Sequence, residues 1–332
     1  MKEIEVCPST LAQGFDTYSP AARKVLFDGK MVSPHLAEPS PSTDSPEAKE
    51  AIKKISRISL SGVQPKFAVV LDQNNQLRYA RNEERGTYIL KPRPNAYHIL
   101  NKEYCAANEH LTMQIAAQAY GIEAAANGLC FFANDEAAYL TRRFDVHTDG
   151  KYQQEDFAAL MGYTKSNGGS DYKYCNASYE DCAEMIRRYV KAAPIDVLSF
   201  FRLILFNFII LNDDAHLKNF SLIDRGGEYR LSPAYDLINT SLHLVQSRIF
   251  ALDKGLFKEG MKLVDTHQVG RTDFEEFGKR IGLPQRVIKK EIDRFAQENP
   301  LAKELINRSF LSDALKKQYW LSYDYRRKML NL

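Results

Sequence analysis

The first half of the chain alternates short apolar runs with residues typical of turns. Strands are therefore expected over 66–71, 77–80, 87–91 and 137–141. Between the third and fourth runs, apolar side chains recur at helical spacing, as at Leu111, Ile115 and Ala119, and Gly121 ends the pattern. We predict a helix over 99–120, and hence a small sheet that carries one long helix.

The second half has a mainly helical pattern. Ser178 and Asp181 have the spacing of a capping box before an amphipathic run, and further helices are predicted over 273–281, 284–298 and 300–308. The apolar stretch 200–211 is shorter than the roughly 20 residues of a membrane span, so it predicts a buried helix. Together the elements predict an α/β (α+β) fold with a small β-rich N-lobe and a larger, mainly helical C-lobe.

A segment rich in proline and serine lies between residues 38 and 50. Such a composition is typical of a linker or an irregular surface segment, and Ser45 followed by Pro46 suggests a helix start. We therefore divide the chain into an N-terminal segment with its linker (1–50), a β-rich unit (51–144) and a helical unit (145–332).

Composition narrows the function classes. Of 332 residues 44% are hydrophobic, which excludes a disordered chain. The net charge of +3 is far from that of a nucleic-acid coat protein. The five cysteines form no CxxC pair, which argues against a zinc site or a disulfide framework and favours reduced thiols. The first residues lack the apolar core of a signal peptide, so a cytoplasmic protein without membrane contact is expected.

A local cluster of basic residues lies near the C-terminus, at Lys316, Lys317 and 326–328. Such a cluster is typical of a solvated helix face. Contact with DNA or with a protein partner is the alternative.

The strongest chemical signal is the sequence NDDAHLKN at 212–219, directly after the predicted buried helix, followed by Ala-Tyr-Asp ending at Asp236. Phosphoryl transfer needs a carboxylate that accepts the proton of the substrate hydroxyl, and an Asn and a second Asp that hold Mg²⁺ against the phosphates. Asp214, Asn219 and Asp236 supply these groups in the order of a kinase catalytic loop. The alternative is structural, with Asp214 capping a turn and His216 buried among satisfied partners.

Two upstream features are compatible with the same chemistry. Lys91 ends an apolar strand, from which an ammonium group can reach ATP phosphates, although an edge lysine often only extends to solvent. The loop before the first strand contains one glycine, Gly62, and lacks GxGxxG, so by itself it is equally an ordinary strand entry.

Together these segments resemble the HipA-type serine/threonine kinases, toxins of bacterial toxin–antitoxin modules. The motifs that carry the resemblance run in the same order over most of residues 55–240: SLSGVQPK (59–66), YILKPRP (88–94), NEHL (108–111), LTRRFDV (140–146), QEDFAALMG (154–162), NDDAHLKNFSLI (212–223) and LSPAYDLI (231–238).

The resemblance implies a bilobal protein-kinase-like fold that uses ATP and Mg²⁺, with 51–144 as the ATP-binding N-lobe and 145–332 as the catalytic C-lobe. It implies that Asp214 is the catalytic base, with His216 beside it facing ATP, and that Asn219 and Asp236 bind the metal. Lys91 would hold the α/β-phosphates, with Glu109 as its partner. The remaining ATP-binding positions would be the phosphate loop (Ser61, Gly62, Val63, Gln64, Pro65 and Lys66), the hinge (Arg142, Arg143 and Phe144), His216 and Tyr235.

The chain departs from the family pattern at two places. Arg142 stands where the family often has an acidic hinge residue, and about 50 N-terminal residues cannot supply the additional subdomain of full-length HipA. The chain therefore resembles the short, HipT-like form, in which a separate small HipS-like protein provides that piece. Ser59 and Ser61 resemble the paired serines of HipT-type loops, and autophosphorylation there would repel ATP. Hydrogen bonding within a turn is the alternative for both serines.

The resemblance also implies partners and substrate. The partners would be a helix-turn-helix antitoxin of HipB type, which alone would contact DNA, and the HipS-like protein. The substrate would be a serine near the ATP-binding loop of an aminoacyl-tRNA synthetase. Two alternatives remain open, a catalytically silent kinase-fold scaffold and a small-molecule kinase, because small-molecule kinases share the same Asp, Asn and Asp.

Overall fold

A computed structural model of the protein describes residues 4–37, 39–41, 65–81, 83–94, 99–147, 149–168, 171–174, 176–245, 248–261 and 268–332. The predicted helix start at Pro46, the predicted autophosphorylation site Ser59 and the phosphate-loop residues Ser61, Gly62, Val63 and Gln64 lie outside these residues, as does Cys175.

Five antiparallel strands form the sheet of the N-lobe. They are β1 (Phe67–Leu71), β2 (Leu77–Tyr79), β3 (Tyr88–Lys91), β4 (Asn127–Phe131) and β5 (Ala137–Arg142), in the order β2-β1-β3-β5-β4. The four strands predicted from sequence are confirmed to within one residue at each end. The fully buried strand β4 was not predicted, because its run NGLCF begins with Asn127 and Gly128, which are residues typical of turns.

The two faces of this sheet have different partners. Residues directly opposite each other on antiparallel strands point to the same face, so Lys91 shares a face with Tyr139, while Leu90 and Leu140 share the other. Leu90 and Leu140 pack against the N-terminal segment, including Leu26 of helix α1 (Pro20–Leu26). The segment that composition set apart is therefore a covering layer of the N-lobe.

Helix α2 (Cys105–Gln114) lies on the other face of the sheet, where it contacts β4 and β5. A 3-10 turn (Lys102–Tyr104) precedes it and a π-helical turn (Ile115–Ala119) extends it, so the predicted helix over 99–120 is confirmed except at its first residues. All ten residues of α2 are buried, polar ones included. Because polar residues such as Asn108, Glu109 and His110 are buried as well, the apolar pattern of α2 is weak.

The C-lobe combines short strands with helices. Strands β6 (Val146–His147) and β7 (Gly150–Lys151) pair with each other, and β8 (Gln154–Asp156), β9 (Ser221–Asp224) and β10 (Tyr229–Leu231) form an antiparallel sheet in the order β10-β9-β8. The helices are α3 (Phe157–Leu160), α4 (Lys165–Gly168), α5 (Tyr179–Tyr189), α6 (Ala193–Ile209), α7 (Arg271–Arg280), α8 (Gln285–Ala296), α9 (Pro300–Arg308) and α10 (Asp313–Met329). The capping box of Ser178 and Asp181 is confirmed at the start of α5.

Helix α6 is the centre of the C-lobe core. Its side chains at Phe200, Phe201 and Phe206 are fully buried. It begins at Ala193, earlier than the predicted residue 200, because Pro194 occupies the first turn and buried Asp196 accepts hydrogen bonds from Arg230 and from the backbone NH of Leu231. Among the described residues, no helix combines the length and the apolar character that crossing a membrane requires.

The basic residues near the C-terminus lie on α10, and their side chains differ in exposure. Lys317 and Lys328 are exposed, as a solvated face predicts. Arg327 is buried and donates hydrogen bonds to the carbonyl of Ala296 and to Asp324, so for this residue the prediction of a solvated face is wrong. The Arg326 guanidinium lies over the ring of Phe208, 5.1 Å from its centroid.

Candidate active site

The loop that follows α6 holds Asp214 through neighbouring backbone. Leu211 ends the helix in a left-handed conformation (φ 55°), and the NH of Asn212 donates to the carbonyl of Asn207. The Asn212 side chain accepts a hydrogen bond from the NH of Asp214 at 3.2 Å. The loop therefore fixes the backbone of Asp214 while its side chain stays 51% exposed.

Two further contacts orient Asp214. The hydroxyl of Tyr174 donates to Asp214 Oδ1 at 2.6 Å, and the amide of Asn219 donates to the Asp214 carbonyl at 2.8 Å. Asp214, the predicted base, and Asn219, a predicted metal ligand, are thus direct neighbours. The other carboxylate oxygen of Asp214, Oδ2, accepts no hydrogen bond from the residues that the structure describes.

The adjacent carboxylate, Asp213, forms hydrogen bonds that hold the loop in place. Its Oδ2 accepts from the NH of Arg248 at 2.9 Å, and its own NH donates to Thr240 Oγ1 at 3.2 Å. Burial raises the pKa of Asp213. Asp213 thereby links the loop to the segment after Asp236, whereas Asp214 faces the cleft.

A second cluster joins the N-lobe to Asp236. Lys91 Nζ lies 2.5 Å from Glu109 Oε1 and 2.6 Å from Asp236 Oδ1, and Lys66 Nζ lies 3.0 Å from Asp236 Oδ2. Burial acts to raise the pKa of Asp236, but the two ammonium groups outweigh it and hold that pKa well below its usual range. Burial likewise raises the pKa of Glu109. Asp236 is therefore a carboxylate at any physiological pH.

The segment that carries Asp236 is bonded to both lobes. Ala234 exchanges backbone hydrogen bonds with Glu123 and Ala125, just before β4. The Tyr235 hydroxyl donates to the carbonyl of Lys218 at 2.9 Å, in the catalytic loop. These contacts place Asp236 between the two lobes.

His216 lies between the two clusters. Its Nε2 is 3.9 Å from Asp214 Oδ1 and 2.9 Å from Lys173 Nζ. Burial lowers the pKa of His216 to about 4, so the ring is neutral at pH 7. Its Nδ1 is buried and has no hydrogen-bond partner among the described residues.

The hinge residues lie apart from these clusters. Arg142 follows Leu140 on the covered face of the sheet, opposite to Lys91, and its guanidinium pairs with Asp28 at 2.6 and 2.8 Å. Arg143 pairs with Asp145. The structure therefore does not bring either guanidinium to Lys91 or Asp236.

Two other predicted ATP-binding residues, Phe144 and Pro65, lie next to Tyr235 and Lys66, respectively. The ring of Phe144 is 5.7 Å from that of Tyr235, between centroids. Pro65 directly precedes Lys66.

The donor chemistry fits a nucleotide with a hard cation. The amide oxygen of Asn219 and the carboxylate of Asp236 are oxygen ligands of the kind Mg²⁺ prefers. No group of three or more His, Cys, Asp or Glu that could hold a metal occurs in the described ranges. The unpartnered Nδ1 of His216 is a further polar atom that a ligand could satisfy.

Two residues of this site were not predicted as site residues. Lys173 and Tyr174 are in none of the motifs that carry the resemblance. They lie about 40 positions before the catalytic loop, and the Tyr-Lys-Tyr run that contains them has no distinguishing spacing. Only the fold brings them to Asp214 and His216.

Comparison with known proteins agrees with the geometry. The model of the HipA-like C-terminal domain matches residues 58–302. A protein of Haemophilus influenzae named as a candidate kinase is 30% identical over 332 aligned residues, which cover 95% of this chain and 93% of that one. The serine/threonine-protein kinase toxin HipA of Shewanella oneidensis is 25% identical over 266 residues, 74% of this chain and 56% of that one. The chain thus spans nearly all of the first relative and about half of the second.

A solved structure shares the fold. It is the complex of Shewanella oneidensis HipA with HipB and operator DNA, in which one chain superposes with a TM-score of 0.63 at 21% identity, covering 85% of this chain and 70% of that one. The predicted α/β fold, with its β-rich N-lobe and helical C-lobe, is confirmed. The chain belongs to the HipA-like C-terminal domain family, the family of the HipA-type kinases.

Proposed function

We propose that the protein is an ATP-dependent serine/threonine kinase and the toxin of a toxin–antitoxin module. The observation that carries this proposal is the buried ion cluster of Lys91, Glu109 and Asp236 next to a half-exposed Asp214. A lysine paired with a helix glutamate, a catalytic-loop aspartate and a second aspartate are the recurring parts of protein kinases.

Asp214 is the proposed catalytic base. Its Oδ2 accepts the proton of the acceptor hydroxyl as that oxygen bonds to the γ-phosphorus of ATP, and the bond to the β-phosphate oxygen breaks to release ADP. His216 lies beside Asp214, and the rings of Tyr235 and Phe144 lie next to each other. The half-exposed position of Asp214 supports this role because an acceptor from another protein must reach it.

Lys66 and Lys91 are the proposed phosphate ligands. Both ammonium groups now contact Asp236, and phosphate oxygens offer them the same charge-assisted hydrogen bonds. Asn219 and Asp236 would then hold Mg²⁺, which when bound neutralises charge on the β- and γ-phosphates.

The proposed substrate is a serine of a translation component, of the aminoacyl-tRNA synthetase class. The proposed partners are a HipB-type antitoxin, through which the protein would meet DNA, and a small HipS-like protein. The Shewanella complex of HipA with HipB and DNA supports the first. The protein would act in the cytoplasm and phosphorylate its own Ser59 or Ser61.

The test is incubation of purified protein with Mg-ATP, followed by intact mass and phosphosite mapping. Wild type should gain phosphate at Ser59 or Ser61, and Asp214→Ala should gain none. Asp213→Asn is the matched control because it changes the neighbouring carboxylate, keeps its acceptor oxygen and should remain active. Asp236→Asn should lose both the activity and its dependence on Mg²⁺.

Two results would overturn the proposal. One is phosphate incorporation by Asp214→Ala at the wild-type rate. The other is a wild type that neither carries nor gains phosphate and does not bind ATP.

A further inference from the structure

We propose that Lys173 is a catalytic residue whose ammonium group contacts the phosphoryl group during transfer, and that His216 and Tyr174 are positioning residues. This inference rests on the proposed kinase function. It adds to that site the positive charge of Lys173, which is in none of the motifs that carry the family resemblance.

The turn 171–174 is bonded to the catalytic loop. The NH of Leu217 donates to the carbonyl of Lys173, and the NH of Asp253 donates to the carbonyl of Tyr174, both at 3.1 Å. Each bond fixes the backbone of one of the two residues. Their side chains therefore reach His216 and Asp214 from a defined position.

His216 holds the ammonium group of Lys173. Lys173 Nζ lies 2.9 Å from His216 Nε2, and an ammonium group can only donate, so Nε2 accepts and the ring proton is on Nδ1. The pKa of His216, lowered to about 4 by burial, agrees with a neutral acceptor ring. A neutral ring in this tautomer acts as a support for the lysine.

Lys173 differs from the other lysines of the cleft in its partner. Lys66 and Lys91 pair with Asp236, and Lys218 pairs with Asp156 at 2.5 Å. In the part of the chain that the structure describes, Lys173 forms no ion pair with a carboxylate, and its nearest polar partner is an uncharged ring. Burial lowers the pKa of Lys173, and the nearby carboxylates of Asp214 and Asp171 oppose this effect without outweighing it. A half-buried cation in this setting gains from a further anion beside it.

A transferring phosphoryl group is an anion of the required kind. Its charge spreads over three equatorial oxygens in the transition state, and a preorganised cation stabilises it there. His216 Nε2, which holds Lys173, is 3.9 Å from Oδ1 of the proposed base. The cation and the base therefore flank one small region.

Tyr174 completes the arrangement. Its hydroxyl occupies Asp214 Oδ1, which turns Oδ2 toward the acceptor. In the transfer step the acceptor proton moves to Oδ2, the new P–O bond forms and the bond to ADP breaks, while Lys173 keeps all its protons.

The test compares Lys173→Met, which keeps the stem and removes the charge, with Lys289→Met, an exposed lysine on α8. Single-turnover phosphoryl transfer from radiolabelled ATP should slow by about 100-fold or more in Lys173→Met and stay unchanged in the control. The Kd for Mg-ADP should stay within about threefold, whereas the Kd for Mg-ADP with aluminium fluoride, a mimic of the transferring group, should rise by about 100-fold. Lys173→Arg should recover part of the rate.

A second comparison tests the support by His216. His216→Leu should slow transfer about as much as Lys173→Met, the double variant should be little slower than either, and His216→Gln, which keeps an acceptor, should retain more activity. Thermal unfolding verifies that each variant folds.

Two results separate the proposals. Wild-type activity retained by Lys173→Met overturns this inference alone, as does a parallel loss of ADP and aluminium-fluoride affinity. A wild type without any phosphoryl transfer or nucleotide binding overturns the kinase function and this inference together.

Discussion

Lys91 and Glu109 meet between β3 and α2 with their charged atoms 2.5 Å apart, and both side chains are only 4% exposed. Burial acts to lower the pKa of Lys91, but the carboxylates of Asp236 and Glu109 outweigh it and raise that pKa. Lys91 is therefore charged inside the N-lobe, and its charge is stabilised by both carboxylates.

Glu109→Gln should weaken both stability and nucleotide binding. The amide keeps the shape and an acceptor but removes one of two balancing charges, so the unfolding free energy should fall by about 1–3 kcal/mol. Lys91 would then be held more strongly by Asp236, and the Kd for ATP should rise about tenfold. Chemical unfolding and calorimetric titration measure the two effects. Glu103→Gln, on the exposed turn before α2, is the control, and equal behaviour of the two variants would contradict the role of the pair.

Tyr174→Phe should slow phosphoryl transfer by about tenfold without changing the KM for ATP. The variant loses the 2.6 Å hydrogen bond to Asp214 but keeps the ring, which packs edge-on against His216 at 5.0 Å. Steady-state kinetics distinguish the two parameters. Tyr163→Phe also removes a tyrosine hydrogen bond, to the carbonyl of Asn176, and should leave the rate unchanged. A rise in KM at constant kcat would show that Tyr174 serves binding instead.

His110 should make the protein less stable in acid. Burial lowers its pKa to about 4 in the folded state, while the unfolded chain protonates near its ordinary value of about 6.5. Between these values the unfolded state binds more protons, so stability falls as the pH falls from about 6.5 to 4, by about 3 kcal/mol for this residue.

The measurement for His110 is the unfolding free energy of wild type and His110→Gln at several pH values. His216 and His243, whose pKa values burial also lowers, are present in both proteins, so their contributions cancel in the difference. The difference should change between pH 6.5 and 4 and level off below that range. A difference that does not vary with pH would contradict the prediction.

Gly278→Ala should destabilise the C-lobe although alanine favours helices. A Cβ at this position of α7 would lie 2.7 Å from Ile288 Cγ1 and 2.9 Å from its Cδ1, on α8. Overpacking of this kind costs about 1–3 kcal/mol, against a gain of about 1 kcal/mol in helix propensity. Thermal unfolding should show a lower Tm, and Gly278→Ala should lower the Tm less in an Ile288→Val background than in the wild-type background. A rise in Tm would contradict the prediction, because it would mean that α7 and α8 move apart at little cost to accommodate the added Cβ.

Sequence reasoning located the helices α7 to α9 because their buried residues recur at helical spacing between exposed ones. It located β1, β3 and β5 as short apolar runs between turn residues, although both faces of their sheet are covered. It missed β4, buried on both faces, and set apart the N-terminal segment 1–50, whose described residues 4–37 cover the sheet without a periodic pattern.

The candidate site divides in a similar way. Asp214, Asn219 and Asp236 lie in short local motifs, so sequence could propose them, and Lys91 with Glu109 followed from the resemblance. The contacts of Lys173 and Tyr174 depend on how a turn packs against a loop about 40 residues later. Arg142 shows the converse, because strand parity alone places its side chain on the face away from Lys91.

The bonds of 234–236 to both lobes determine how the cleft can open. The backbone of Ala234 is fixed to the residues just before β4, and β4 is one edge of the five-stranded sheet, with β2 at the other. We therefore expect any opening between the lobes to be a rotation about the β4 edge, with displacement smallest near Ala234 and largest at β2. If the proposed kinase function holds, the nucleotide product would leave past the β2 edge, while Asp236 would keep its position beside the loop 212–219.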